Sequence, residues 1–259
     1  MTKWDDVILK IATDKYKNIG GGSYKTVYWD EDTNTVYARE EVKSENAQKL
    51  FVKLKTLSTA AQKHVLIPSE FIERGGYRYW KMDFCEGDLD KPNTFTVEEL
   101  STNFEGLEKA VNELHNIGIT AMDIKPANML FNCHVGLGKL DKSIQMTDLD
   151  GSLIDGKGDE HLTMYYVFLQ FQENDQFNYK KQDLFALYTT FLHIIDKELW
   201  QYKPFMLSKS MTDWTGDVLD RLDKKEKYYG LVLKYLNKLN ALAGSATVYQ
   251  LPPSVRFKY

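Results

Sequence analysis

Two cysteines in 259 residues, Cys85 and Cys133, do not make a disulfide framework, and no cluster of His and Cys has zinc-ligand spacing. Long apolar runs are missing too. No stretch approaches the ~20 residues of a membrane span, and the N-terminal "MTKWDDVILKIATDKYKN" is charged throughout, without a signal-peptide core. Positive charge is not in excess: 33 Lys and Arg stand against 37 Asp and Glu, so the net charge of -4 leaves no basic footprint for nucleic acid. There is no internal repeat, low-complexity tract or linker. These absences predict a cytoplasmic protein in a reducing compartment, with no membrane span and no nucleic-acid partner. They leave its oligomeric state open.

What is present suits a packed domain: hydrophobic residues make up 43%, aromatics 13% and charged residues 27% of the chain. From Lys15 to Phe84 the pattern is strand-like. "KYKNIGGGSYKTVYW" and "TNTVYAREEV" form a predicted hairpin around "DEDTN", and "HVLIPSEFIE" and "YRYWKMDF" form a second around Arg74-Gly75-Gly76. Between the hairpins, "SENAQKLFVKLKTLSTAAQ" spaces Leu50, Leu54 and Leu57 as a helix with Ser44 as N-cap. After "CEGDLDKPN" the character turns helical. Leu100, Phe104, Leu107, Val111 and Leu114 share a face that ends at Gly118, and two short strands, "NMLFN" and "SIQMTD", precede the apolar helix "QDLFALYTTFLHII". The remainder reads as mainly helical, with a closing Pro252-Pro253 turn.

The stretch "LHNIGITAMDIKPANMLF" sets Asp123, Lys125 and Asn128 on a loop between a helix end and a strand. That set suits phosphoryl transfer. An aspartate can hold and deprotonate a hydroxyl, a lysine can neutralise the phosphoryl group, and an amide oxygen can ligate magnesium. Asp148, just past the strand "IQMTD", supplies a second metal oxygen; Asp150, before Gly151, competes with it or adds charge. The isolated histidines, His115 among them, read as packing or surface residues.

Here the chain resembles the eukaryotic-type protein kinase domain, from about Lys15 to the C-terminus, with "DIKPAN" matching the catalytic loop. The resemblance implies an α+β, two-lobed fold: a small antiparallel β lobe with one helix over residues 1–84, and a larger mainly helical lobe over 85–259. It implies ATP and Mg²⁺ or Mn²⁺ as cofactors and a protein substrate. Asp123 would be the catalytic base, Lys125 the phosphate-contacting lysine of Ser/Thr-directed members, and Asn128 and Asp148 the metal ligands. Asp183 would brace the catalytic loop. Gly20, Gly22 and Ser23 match the glycine-rich loop. Val27, Ala38 and Leu130 match the apolar walls around adenine, and Met82, Asp83 and Cys85 the gatekeeper and hinge, with Cys85 a small filler whose backbone meets adenine.

The departures are informative. His-Arg-Asp appears as Ala121-Met122-Asp123, Asp-Phe-Gly as Asp148-Leu149-Asp150, and "LTMYYVFLQFQ" stands where Ala-Pro-Glu would be. The third-strand lysine is replaced by Glu40 in "VYAREEV", unless a one-residue slip aims Arg39 inward instead. Read alone, Glu40 implies a pseudokinase. But "GSYKTVY" is similar to the loop of the with-no-lysine kinases, in which a second-strand lysine takes over, and Lys25 stands at that place. If the hairpin turns symmetrically about Asp32-Thr33, Lys25 and Glu40 oppose each other, and a cross-strand ion pair worth roughly 0.2 to 1 kcal/mol would orient Lys25. The expectation is an ATP-dependent Ser/Thr-type protein kinase of viral or bacterial-effector economy. A pseudokinase binding module and a small-molecule kinase of the same fold are the alternatives.

Overall fold

The computed structural model describes residues 3–21, 25–42, 46–91, 93–134, 142–158, 166, 171–173, 176–196, 210–222 and 227–244. Gly22, Ser23, Ser44, most of "LTMYYVFLQFQ" and the Pro252-Pro253 turn lie outside them.

Alternating side chains in β1 (Lys17–Gly21), β2 (Lys25–Asp30), β3 (Thr35–Glu41), β4 (Glu70–Arg74) and β5 (Tyr77–Asp83) build an antiparallel five-stranded sheet in the order β1-β2-β3-β5-β4. One face carries Val27, Ala38 and Trp80, the other Tyr28, Tyr37 and Tyr79. The tyrosine face is covered by α1 (Lys3–Ala12), a helix that the charged N-terminal sequence hid. Its Val7 and Ile11 are buried against those rings, at roughly 1.5 to 3 kcal/mol each, and Asp5 pairs with Arg74 of β4.

The single helix expected between the hairpins is two: α2 (Ala47–Leu54) and α3 (Thr59–Gln62), the second capped by Ser58. Leu50 and Leu54 of α2 do not join the β-lobe core. They pack into the large apolar cluster of the helical lobe, with Phe104, Leu107, Met146 and Leu149. Two polar ties add to this: Lys53 Nζ donates to Ile117 O at 2.6 Å and pairs with Asp155 at 2.9 Å, while Asn46 Nδ2 donates to Lys157 O at 3.2 Å. Burial therefore shares α2 between the lobes, since its Ala47 and Phe51 pack with Ala38, Trp80 and Phe71 of the β sheet.

The helical lobe is led by α4 (Val97–Asn116), which starts in a capping box of Thr96 and Glu99 and ends at Gly118, whose φ of 78° favours glycine. Strand β6 (Cys85–Asp88) leads into it and forms a sheet, in the order β6-β8-β9, with β8 (Met129–Cys133) and β9 (Ile144–Met146). The short pairs β7 (Ile119–Thr120) with β10 (Leu153–Ile154), and β11 (Gln172–Glu173) with β12 (Gln176–Phe177), complete the strands among the described residues. Helices α5 (Tyr179–Ile195), α6 (Met211–Arg221) and α7 (Tyr229–Leu242) close the core around Phe185, Phe191, Trp214 and Tyr235. The architecture is the two-lobed α+β arrangement. Among the described residues no helix is long and apolar enough to cross a membrane.

The cysteines require a correction, because the reading as unpaired thiols, with Cys85 as a small filler, does not hold. They are separated by 48 positions yet directly opposed on β6 and β8, and they form a disulfide. The His134 N–H donates to Phe84 O at 2.7 Å, so Cys85 and Cys133 are a non-hydrogen-bonded antiparallel pair, the kind that brings side chains closest.

Two stability measurements follow. Cys133→Ser, like reduction of the wild type, should cost about 2 to 4 kcal/mol by opening a loop of that length, read from denaturant unfolding with and without dithiothreitol. His64 lies against Gly106, its Nδ1 3.1 Å from Ile144 O, and burial holds its pKa below the ordinary value. The unfolded chain therefore binds the extra proton. That stability is present above about pH 6.5 and is lost as pH falls through the depressed folded value. Unfolding midpoints at pH 7.5 and 5 should show an acid-side loss that His64→Gln diminishes.

Candidate active site

Register decides what the inner face of the β sheet presents. The β2–β3 pairing sets Lys25 opposite Glu40 and Val27 opposite Ala38, as the symmetrical turn implied. Arg39 points to the other face, its guanidinium 5.6 Å from the Tyr28 ring centre and 5.1 Å from that of Tyr77. The one-residue slip is therefore absent. Gly21 packs so closely on the next strand that a Cβ there would lie 2.2 Å from the Lys25 carbonyl oxygen, so glycine is required next to that lysine.

Although the opposition is as expected, the predicted Lys25–Glu40 ion pair is not formed. Lys25 Nζ instead donates to Asp148 Oδ1 at 2.6 Å and Asp150 Oδ1 at 2.5 Å. Glu40 is taken from the other side, by Arg78 Nη1 at 3.1 Å and Trp80 Nε1 at 2.8 Å. The cause is again register. Glu40 faces Arg78 across β3–β5, and Arg78 faces Glu73 across β4–β5, so Lys25, Glu40, Arg78 and Glu73 form a rung of alternating sign across four strands. Arg78 is only 4% exposed and its charge needs compensation on both sides.

Burial disfavours the Lys25 ammonium, but the charges of Asp150 and Asp148 and their hydrogen bonds outweigh it and hold the pKa above the ordinary lysine value. Burial likewise pushes Glu40 up. The Lys25 charge, the Trp80 N–H and the Arg78 guanidinium together bring it below the usual carboxylate range. Asp148 has φ 64° and ψ 41°, a left-handed conformation that aspartate tolerates, at the head of a 3-10 turn over Leu149–Gly151.

The second group of residues comes from the loop after β7. Lys125 Nζ donates to Asp123 Oδ2 at 2.6 Å, and Asn128 Nδ2 donates to Asp123 O at 2.9 Å and Oδ2 at 3.1 Å. The Asn128 carbonyl accepts from Thr147 N at 2.9 Å, which ties this loop to the residue before Asp148. Asp123, Lys125 and Asn128 are thus joined through short local bonds, and Asp148 follows the residue that Asn128 holds. Val27 and Met82 pack with Ala38 and Trp80, and Leu130 lies on β8 opposite Asp88 of β6. Since the Cys85–Cys133 pair is non-hydrogen-bonded and β6 is an edge strand, the Cys85 N–H and C=O turn away from β8. Asp83 ends β5 just before this edge, and Gly20 lies on β1.

Asp183 of α5, 1% exposed, accepts from Ala121 N at 2.8 Å, Met122 N at 2.9 Å and His115 Nε2 at 2.8 Å. It holds the loop where Met122 takes a φ of 72°. His115 is therefore more than a packing residue, a role that no local pattern signals because its partner is 68 positions away. Arg78 and Trp80 were missed for the same reason, while the Asp150 side chain was weighed only against the metal.

Asp183→Ala would strip two buried backbone donors of their acceptor. Unfolding free energy should fall by about 3 kcal/mol or more, measured by denaturant titration.

The fold agrees with the family comparison. A protein kinase domain model matches residues 13–201, which takes in every residue placed above from Gly20 to Asp183 and more than half of the chain. The chain belongs to the protein kinase domain family.

Proposed function

We propose that this kinase domain is an active, ATP-dependent protein kinase that transfers the γ-phosphoryl group to Ser or Thr hydroxyls, with Lys25 in place of the usual third-strand lysine. The observation that carries the reading is the 2.6 Å contact of Lys25 with Asp148, which brings a β2 ammonium onto the residue next to Thr147, whose N–H is bound by the Asn128 carbonyl of the Asp123 loop. In this reading residues 1–84 and 85–259 are the two lobes of one domain, with the nucleotide between them.

Asp123 accepts the hydroxyl proton, and Lys125, already on that carboxylate, neutralises charge on the phosphoryl group in transfer. Asn128 uses its Nδ2 on Asp123, which leaves the amide Oδ1 as an oxygen donor that, with the Asp148 carboxylate, would hold a cation. One carboxylate and one amide oxygen fit Mg²⁺, which completes its shell with waters and phosphate oxygens. Bound there, the cation would supply neutralisation of phosphate charge. Val27, Ala38, Met82 and Leu130 offer apolar walls to adenine, and the outward Cys85 N–H and C=O and the Asp83 carbonyl offer its hydrogen-bonding edge. Gly20, near the end of β1, leads toward the phosphates, and the family resemblance assigns Gly22 and Ser23, outside the described residues, to the same loop.

The pseudokinase alternative rested on Glu40. A bare carboxylate beside a triphosphate costs about 1 to 4 kcal/mol per close pair, but Glu40 is compensated by Arg78 at 3.1 Å and Trp80 at 2.8 Å. The objection is largely removed.

With radiolabelled ATP, Mg²⁺ or Mn²⁺ and a generic protein acceptor, the wild type should transfer label. Lys25→Met and Asp123→Ala should each lose about 100-fold or more. Undiminished transfer by Lys25→Met would overturn the lysine assignment, and nucleotide binding without any transfer by the wild type would favour the pseudokinase.

A further inference from the structure

A lysine ammonium on a four-carbon stem serves as a fixed charge only when a counter-ion holds it. Helix α2, which packs on the Ala38 and Trp80 face of the β sheet, has the sequence AQKLFVKL, without a carboxylate, and its Lys53 is engaged with Ile117 and Asp155. Glu40 is engaged with Arg78 and Trp80. The carboxylates that touch Lys25 both come from the 3-10 turn after β9: Asp148 at 2.6 Å and Asp150 at 2.5 Å.

Their circumstances differ. Asp148 is 43% exposed at its side chain and is the residue that the proposed function commits to the cation. Asp150 is 23% exposed, and the buried Leu149 before it fixes the turn that carries it. We infer that Asp150 is the positioning residue for Lys25: its carboxylate, carried on the turn that the buried Leu149 fixes, keeps the ammonium aimed at the nucleotide phosphates while Asp148 serves the cation. This rests on Lys25 being the phosphate-contacting lysine. The residue standing where the family resemblance expects glycine then supplies the counter-ion that helix α2 lacks.

The test separates phosphate recognition from general integrity. Binding of Mg²⁺-ATP and of adenosine is measured by calorimetry on the full chain for wild type, Asp150→Asn, Asp150→Glu, Lys25→Met and the double variant Lys25→Met/Asp150→Asn. Asp150→Asn should weaken ATP about tenfold and leave adenosine unchanged. Asp150→Glu should restore most of the loss, and the double variant should bind ATP no more weakly than Lys25→Met, since both changes remove one unit. An equal loss for ATP and adenosine would mean a structural role only and overturn the inference. So would unchanged ATP binding in Asp150→Asn when Lys25→Met is weakened, and that result leaves the proposed function standing. If Lys25→Met itself binds ATP normally, the lysine assignment falls and this inference with it.

Discussion

A single ammonium group, Lys25 Nζ, lies between two carboxylates of a turn more than 120 positions further along the chain. That contact joins the β sheet to the Asp148–Asp150 turn of the helical lobe, and most of the site's electrostatics follows from it. With Asp148 and Asp150 on Lys25, Glu40 is left to Arg78, Arg78 is shared with Glu73, and the sheet carries an alternating row of charge instead of an uncompensated one. Such a row is favourable only while every member is paired, because each charge is partly or wholly removed from water. Exchange of one charge therefore disturbs its neighbours as well as its own position.

The helical lobe holds its loops by a different kind of bond. Asp183 collects two backbone N–H groups and an imidazole in a dry core, and Asn128 spends both Nδ2 bonds on Asp123. Helix α2 belongs to that core by burial, through Leu50 and Leu54, and to its edge by Lys53. Its Ala47 and Phe51 rest on Ala38, Trp80 and Phe71 of the β sheet, so contacts to both lobes set the position of α2. The disulfide between β6 and β8 adds a covalent tie where the two lobes meet.

Much of this was legible in the sequence. The strand order of the first hairpin, its register and the opposition of Lys25 to Glu40 follow from a short polar turn and alternation alone, which are local rules. The loop of Asp123, Lys125 and Asn128 was legible because its members lie within six positions. Helix α1 was not, since its acidic and basic residues mask the spacing of Val7 and Ile11 until the tyrosine face that buries them is known. The cysteine pair was read by count, and count says nothing of which strands lie side by side.

The sequence by itself determined which groups are available: a lysine on the second strand, a carboxylate where a lysine is usual, the catalytic-loop triad, and an Asp-Leu-Asp turn. Only the tertiary structure decided who pairs with whom. A cross-strand neighbour within a hairpin is fixed by backbone register. The contest between Glu40, Asp148 and Asp150 for one ammonium is settled by distances between elements more than 100 positions apart, together with the prior claim of Arg78 on Glu40. The same holds for His115 with Asp183 and Cys85 with Cys133: each partner is chemically unremarkable in its own segment, and only chain folding brings the two within bonding distance.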